Sequence, residues 1–404
     1  MAISEAAYVR SAAAEPMPPP MATGGTLGWL RANLFSSPFN IVLTLVCCLL
    51  IAWLVPPMIR FLIVDAVWSG ADREACLVTP ERPVVGACWA FVRERFAFFV
   101  YGSYPIPQRW RVDAFFALLA FGVVWLAWLD APRRDLAAFY FFVALPIASY
   151  VLLSGFDRID LTGVDTSAWP GMLVGMTASA ASIFPKVPTT SWGGVLVTIV
   201  VATVGIVASL PVGVVLALGR RSRMPAVRLL SVIFIEFVRG VPLITVLFMA
   251  SVMLPLFVPE AWSPDKLVRA LVGVALFASA YMAEAVRAGL QAIPRGQYEA
   301  AMAVGLSYWK MMGLVILPQA LRITIPNIVN TTIGLFKDTT LVFVVGIFDL
   351  LKTIEVARID PKWATPVTSA TGYAFAALFY FIFCYAMSRY ARNVEARLAQ
   401  GDHR

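Results

Sequence analysis

The chain has 404 residues, of which 60% are hydrophobic and only 14% are charged. Soluble domains carry roughly 25% charged residues, so this composition excludes an ordinary soluble protein and favours a polytopic helical membrane protein. The formal net charge of +8 is then attributed to basic residues in loops that face anionic lipid, and not to nucleic-acid binding.

Several kinds of chemistry are also excluded. The only histidine is His403, near the C-terminus, so neither a histidine-based catalytic site nor a metal site is expected. No Walker A sequence occurs, because the stretch from Gly213 to Gly219 is followed by Arg220 and not by Gly-Lys-Ser/Thr. We therefore expect no cofactor in this chain, and any ATP and magnesium would be used by a separate polypeptide.

Apolar runs of about 20 residues, the length that crosses a bilayer as a helix, predict eight spans. The first 39 residues are small and rich in proline, which predicts a disordered cytoplasmic tail. A polar loop is predicted at about 65–110, and a Gly/Pro/Ser/Thr-rich connection at 155–190, where the apolar run 171–184 is too short to span. The region 341–352 is predicted to be a partial helix. The predicted spans lie near 40–64, 112–130, 136–154, 193–218, 228–257, 267–289, 314–336 and 369–390.

The polar loop contains two cysteines, Cys76 and Cys88. If the loop faces an oxidising periplasm, the pair can form a disulfide, which persists there. The alternative is two free cysteines, one of them packed under Trp89. The sequence leaves both alternatives open, because it does not fix the geometry that a disulfide needs.

Basic residues near the ends of short loops predict the orientation of the spans. The densest cluster contains Arg220, Arg221 and Arg223 and should be cytoplasmic. In an eight-span count both termini then lie in the cytoplasm and the loop at 65–110 faces outward.

Two pairs of opposite charges lie inside apolar helices, where charges are unfavourable and indicate function. Glu236 and Arg239 are three residues apart, as are Glu284 and Arg287, so each pair can meet on one helix face. One interpretation is a gate lined by ion pairs that rearrange. The other is that each pair neutralises itself at a helix end and anchors the bundle. Pro242 predicts a kink just after the first pair.

The segment from Glu299 to Pro318, EAAMAVGLSYWKMMGLVILP, is amphipathic and lies between two apolar helices. Its first part predicts a short helix, which Gly305 ends in a left-handed cap, and Ser307 can cap a second helix. The segment resembles the EAA loop of ABC importer permeases, which fits a groove of the cytoplasmic ATPase; Val315 stands where isoleucine is usual. The resemblance implies that the ATPase is coupled through an elbow comprising Glu299, Ala300, Ala301, Gly305, Lys310, Leu317 and Pro318.

A polar stripe follows on the next helix. Asn327, Thr331, Gly334 and Asp338 occur at i, i+4, i+7 and i+11, which places them on one helix face. A zwitterionic amino acid needs a cationic and an anionic partner together with hydrogen-bonding groups. The stripe therefore indicates a substrate path, unless a self-neutralising Lys-Asp pair simply ends the helix. The remaining candidates for the path are Lys337, Thr339 and Thr340.

Four further segments resemble the polar amino-acid uptake branch of ABC importers, and the eight-span shape with a long outer loop is similar to the general L-amino-acid permeases. Members of that family import glutamate, glutamine, aspartate, asparagine and other amino acids. They work as two permeases with two ATPases and a periplasmic binding protein. The segments are Ile235–Leu243, Tyr281–Gly289, Ile293–Gln297 and Lys337–Leu341.

The resemblance implies an all-α integral membrane protein whose last five spans, within residues 191–392, form a type I ABC importer permease core. Residues 40–190 would be an extension with three spans, and 393–404 a cytoplasmic tail.

The predicted function is a permease subunit that imports polar L-amino acids across the bacterial inner membrane. The alternatives are an ion-coupled secondary amino-acid transporter and a structural or sensory membrane subunit. The expected partners are a cytoplasmic ABC ATPase dimer, a second homologous permease, a periplasmic amino-acid-binding protein and the lipid bilayer, with no nucleic acid. The sequence leaves open which amino acid is preferred and whether the two permeases are identical.

Overall fold

The structure, a computed structural model, describes residues 25–128, 131–155, 184–259 and 264–401. Within these ranges seven helices are long and apolar enough to cross a membrane, or eight if one sharply bent pair is a single span. This confirms the predicted all-α membrane fold. The seven helices are Pro38–Val64, Ile106–Ala127, Asp135–Ser154, Gly194–Arg220, Lys266–Ala292, Tyr308–Val345 and Pro366–Arg397.

Several spans consist of an α-helix that continues into a π-helical or 3₁₀ segment, so the α-helices are labelled separately. They are α1 (Gly25–Asn33), α2 (Pro38–Ile59), α3 (Trp89–Tyr101), α4 (Arg109–Ala127), α5 (Arg134–Phe139), α6 (Leu145–Ser154), α7 (Gly194–Arg220), α8 (Pro225–Gly240), α9 (Leu243–Phe248), α10 (Leu254–Phe257), α11 (Lys266–Ala292), α12 (Arg295–Ala303), α13 (Tyr308–Met311), α14 (Leu317–Asp338), α15 (Leu350–Ala357) and α16 (Pro366–Gly401).

The chain divides into two compact units, and the smaller comprises the residues up to 66 together with 80–87. Helix α2 begins where the Ser37 hydroxyl accepts a hydrogen bond from the Asn40 backbone N–H at 3.1 Å. No residue of α2 is buried, as suits an apolar helix surrounded by lipid. Helix α1 corrects the prediction that the first 39 residues are disordered; residues 1–24 of that tail lie outside the described part.

The larger unit, residues 67–79 and 88–404, contains the remaining helices. Its centre is α11, which packs against α7 on one side and α14 on the other. Gly289 allows the second contact, because a Cβ there would lie 2.5 Å from the Ala320 carbonyl oxygen. Small residues let helix backbones approach closely within a membrane. Helices α7 and α14 are therefore both packed closely against α11.

The predicted span near 228–257 is broken. Helix α8 and the segment Leu243–Phe257 meet at 105°, with Val241 and Pro242 between them in extended conformation. Proline has no N–H to continue the helical hydrogen bonds, so the predicted kink near Pro242 is confirmed and is much sharper than a bend within one continuous span.

The outer loop predicted at 65–110 also contains regular structure. Helix α3 forms within it and packs on the C-terminal part of the chain, where Arg95 pairs with Asp360 and the rings of Phe99 and Phe375 stack at 5.6 Å. The prediction of a simple polar loop is therefore wrong, because the apolar side chains of α3 are covered by the core helices.

The two cysteines of this region are joined. Cys76 and Cys88 form a disulfide with their Cα atoms 5.8 Å apart, and both residues are buried. Cys88 also donates its backbone N–H to the Thr371 hydroxyl at 2.8 Å. The bridge therefore holds the chain before α3 to the helix itself, beside α16.

The predicted partial helix at 341–352 resolves into a 3₁₀ segment, Thr339–Val345, and the separate helix α15. Further on, α16 continues as far as Gly401, so residues 393–401, predicted as a tail, extend the last span as helix. The predicted apolar run 171–184 lies outside the described residues, apart from its final position.

Helix α15 begins at a buried acidic cap. The carboxylate of Asp349 accepts hydrogen bonds from the backbone N–H groups of Leu351 at 3.1 Å and Lys352 at 3.0 Å. Asp349 is fully buried, and burial raises the pKa of its carboxyl to about 6 by disfavouring the charged form. The hydrogen bonds from the two N–H groups do not fully replace the hydration that burial removes.

We expect Asp349→Asn to remove a pH dependence of stability. The folded-state pKa lies above the unfolded value, so Asp349 favours folding below the unfolded pKa and loses that contribution as pH rises through about 6. Asparagine caps a helix equally well and does not ionise. The variant should therefore be about 1–3 kcal/mol more stable than the parent above pH 7. Thermal unfolding in detergent between pH 5 and 8 measures this, and parallel curves for both proteins would contradict it.

Candidate functional site

The elbow contains two short helices joined by a tight glycine turn. Helix α12 ends at Ala303, and Gly305 follows with φ of +80°. The N–H of Gly305 donates to the Met302 carbonyl at 2.9 Å and that of Leu306 to the Ala301 carbonyl at 3.2 Å. These two bonds are the Schellman pattern that ends a helix in a left-handed residue. The left-handed conformation predicted for Gly305 is thus present.

The second helix of the elbow, α13, begins after Ser307. Ser307 occupies the predicted cap position and has the extended backbone of a cap residue, but its side chain makes no capping hydrogen bond. Its carbonyl instead accepts the Met311 N–H at 2.8 Å. A wide π-helical turn, Met312–Ile316, then leads directly into α14.

The elbow is amphipathic in three dimensions. Ala301, Met311 and Met312 are buried in a cluster with the ends of α7 and α11. On the other side Val304 is 79% exposed and Trp309 is 75% exposed. Exposed apolar side chains of this size, close to charged ones, mark a surface that contacts another protein or a membrane.

The seven predicted coupling residues divide between these two sides. Ala301 is buried and supports the elbow from within, Leu317 is partly buried, and the other five are exposed. The exposed five are Glu299, Ala300, Gly305, Lys310 and Pro318.

The predicted gate residues form one network that joins three helices. Glu236 pairs with Arg220 at 2.9 Å, and Arg239 approaches Glu284 at 3.7 Å. Glu284 also pairs with Arg220 at 2.7 Å and with Arg287 at 2.8 Å. The predicted partnership of Glu284 with Arg287 is present, but the two members of the pair on α8 bind different residues.

Sequence spacing could not identify Arg220 as a member of this ionic network. It is the last residue of α7 and was predicted only to set the orientation of the chain. Its two carboxylate partners lie on α8 and α11, so the contacts depend on how these helices pack. The network holds three arginines and two glutamates and therefore carries a formal charge of +1.

The polar stripe on α14 is largely exposed within the single chain. Asn327 and Gly334 are exposed and Thr331 is half-buried, with its hydroxyl donating to the Asn327 carbonyl at 3.0 Å. A polar face of this kind is unfavourable against lipid. It therefore requires water or another protein beside it.

The end of the stripe coincides with a change of helix type. Lys337 is exposed and Asp338 half-buried at the last positions of α14. Thr340 donates to the Lys337 carbonyl at 2.9 Å. Thr339 is buried and donates to the Phe336 carbonyl at 2.8 Å. Thr339 therefore faces the protein interior, away from the exposed path to which it was predicted to belong.

Comparison with known proteins places these features in a family. The profile of the family described as "Binding-protein-dependent transport system inner membrane component" matches residues 209–400. The chain is 48% identical to the inner membrane amino-acid ABC transporter permease protein YhdY of Escherichia coli K12, over 92% of this chain and 93% of that protein.

A second relative aligns over its whole length. The glutamate/glutamine/aspartate/asparagine transport system permease protein BztC of Rhodobacter capsulatus is 41% identical, with 100% of both chains covered. Among solved structures, a crystal structure of an amino acid ABC transporter with histidines matches with a TM-score of 0.44 and 27% identity, covering 50% of this chain and 92% of that chain.

Proposed function

Because this chain belongs to the family of binding-protein-dependent transport system inner membrane components, as an amino-acid ABC transporter permease, we propose that it imports polar L-amino acids. The observation that carries this substrate class is the full-length similarity to BztC, whose name specifies glutamate, glutamine, aspartate and asparagine. That similarity includes the part of the chain before residue 209, where the family profile begins. The chain is a transport subunit, not an enzyme, and the ATPase of such importers is a separate chain.

The elbow is proposed as the docking site of the cytoplasmic ATPase dimer. Its exposed side presents Val304 and Trp309 beside Glu299 and Lys310, a combination of apolar and charged groups that suits a protein interface. Closure of the ATPase dimer on binding ATP would move the elbow and, with it, the helices that it joins. A periplasmic amino-acid-binding protein would deliver the substrate from the other side.

A second homologous permease is proposed to cover the polar face of α14. The exposed stripe residues Asn327 and Gly334, with Lys337 beside them, would then line a path between the two subunits that ends at Asp338. The ionic network around Glu284 is proposed as a gate, since its four ion pairs link helices that must move relative to one another. Alternating access needs no covalent step in this chain. Residues 191–392 are proposed as the permease domain and 40–190 as an extension.

The ion-coupled secondary transporter considered from the sequence would leave the elbow without a function. A structural or sensory subunit would not require a polar stripe within the membrane. Both alternatives are also at odds with relatives that are ABC transporter permeases over most or all of their length.

The proposed function predicts a defined complex and a defined energy source. The tagged chain, purified in mild detergent, should retain an ABC ATPase and a second permease. In vesicles containing ATP, this complex should import glutamate or glutamine when a binding protein is added. Vesicles that contain ADP are the control. Uptake driven by an ion gradient without ATP would contradict the proposal, as would a purified complex that lacks an ATPase.

The proposed orientation has both termini and the elbow in the cytoplasm. In a variant with Cys47, Cys48 and Cys384 replaced by serine, a cysteine at Ala226 should react with an impermeant maleimide only after permeabilisation. One at Ser103, which precedes α4, should react in intact spheroplasts. Both positions are exposed in the structure. The reverse pattern would overturn the orientation inferred from basic loop residues.

A further inference from the structure

The end of α7 carries a second arginine that contacts the elbow. Arg221 Nη1 donates to the Leu290 carbonyl at 3.1 Å and to the Tyr298 hydroxyl at 3.0 Å. The Tyr298 hydroxyl in turn donates to the same Leu290 carbonyl at 3.1 Å. The guanidinium also lies 5.5 Å from the centre of the tyrosine ring, within the range of a cation–π contact.

The carbonyl of Leu290 is available because of the local sequence. In a helix it would accept the N–H of residue 294, but that residue is Pro294, which has none, and α11 ends at Ala292. The negative end of the helix dipole also favours a cation at this point. One oxygen atom therefore joins three elements: the end of α11, the end of α7 through Arg221, and α12 through Tyr298.

The preceding residue, Arg220, belongs to the ionic network and binds Glu236 and Glu284. Two consecutive residues, the last residue of α7 and the cap residue after it, thus bind two different structures: Arg220 binds the network and Arg221 binds the elbow. Tyr298 alone would hold α12 to the end of α11. Arg221 adds the end of α7 to this contact, so a movement of α12 that preserves these hydrogen bonds displaces the end of α7 as well.

We propose that Arg221 and Tyr298 are positioning residues that transmit movement of the elbow to Arg220, and through Arg220 to the ionic network. The proposal rests on the proposed function, since it takes the elbow to be moved by the ATPase. It adds a mechanical route between the ATPase and the helices that enclose the substrate. In this route Arg221, Tyr298 and the Leu290 carbonyl form a polar hub. When the ATPase moves the elbow, the three groups of the hub move together.

The test uses the complete importer in vesicles, with uptake and ATP hydrolysis measured on the same preparation. In Tyr298→Phe and Arg221→Gln we expect uptake per ATP hydrolysed to fall roughly tenfold, the change that corresponds to one charge-assisted hydrogen bond. The amount of ATPase that co-purifies should not change. Arg221→Lys keeps the positive charge beside the carbonyl, so its uptake per ATP hydrolysed should lie between that of Arg221→Gln and that of the parent. The matched control is Arg223→Gln, which removes an exposed arginine two positions further along.

In the double variant Arg221→Gln/Tyr298→Phe, uptake per ATP hydrolysed should be no lower than in the more impaired single variant, because both side chains act at the same oxygen atom. An unchanged ratio of uptake to ATP hydrolysis in the single variants would overturn the proposal. So would a parallel loss of uptake and of bound ATPase, which would show that the hub only stabilises the elbow. Gly305→Val separates the two proposals: if it abolishes uptake while Arg221→Gln transports normally, the elbow couples the ATPase and only the transmission route is wrong.

Discussion

Replacement of Gly305 by valine should lower ATP-driven uptake by about tenfold or more while leaving the chain inserted in the membrane. A β-branched residue at φ of +80° is strongly strained, by about 1–3 kcal/mol or more. No atom lies within 4 Å of the position that a Cβ would take, so the strain arises in the backbone and not from a clash. Relief of the strain requires φ to become negative. That change would break the hydrogen bonds to Met302 and Ala301 and turn α13 away from its present direction.

The matched control is Gly296→Val. Gly296 lies in the first turn of α12, where a Cβ would also meet open space but no left-handed conformation is required. Valine replaces glycine in a helix without penalty, so this variant should transport like the parent. We expect Gly305→Val to lower ATP-driven uptake by about tenfold or more and to retain less ATPase on purification. Equal uptake by the two variants would show that the shape of the elbow is not needed for coupling.

The elbow could be predicted because its determinants are close together along the chain. A helix-forming run, a glycine at the position after the cap and a return to helix are local features, and Gly305 takes the conformation that this pattern requires. The spans follow from apolar length, which the bilayer thickness fixes. Even Pro242, an interruption within one apolar run, marks the point where the chain bends by 105°.

Features that depend on packing between distant segments could not be predicted in the same way. The spacing of Glu236 and Arg239 allowed a pair on one helix, yet Arg220 competes for the glutamate because α7 ends beside it. Thr339 was a candidate for the substrate path because it follows Asp338 in the sequence, but its side chain is buried at the start of the 3₁₀ segment. Helix α3 was missed because its 13 residues are too few to cross a bilayer, so a search for membrane spans assigned it to the surrounding loop.

The charged pair at the end of α14 should contact the substrate. Lys337 is exposed and Asp338 is half-buried at the C-terminal end of the exposed polar stripe. Adjacent helical residues project about 100° apart and do not face each other. Each charge therefore remains available to a ligand. An amino acid in the path carries an α-carboxylate and an α-ammonium group, which would bind Lys337 and Asp338 respectively.

Asp338→Asn keeps the size and polarity of the side chain but removes its charge, so the ammonium group loses a charge-assisted hydrogen bond. Such bonds contribute roughly 1.5–3 kcal/mol, which corresponds to about a ten- to a hundredfold change in affinity. Uptake should fall by a comparable factor, while the amounts of inserted chain and bound ATPase stay unchanged. Glu355→Gln is a suitable control, because it also neutralises a partly buried carboxylate but on α15, where Glu355 pairs with Lys352.

The double variant Lys337→Met/Asp338→Leu distinguishes binding from mutual neutralisation. If the two charges only compensate each other, removing both should restore much of what either single substitution loses, because no uncompensated charge remains in the membrane. If they bind the substrate, the double variant loses both partners of the amino acid and should transport less than either single variant. We expect the second result. Near-normal uptake by the double variant would instead mean that the pair serves to end α14, and that the substrate is held elsewhere along the stripe.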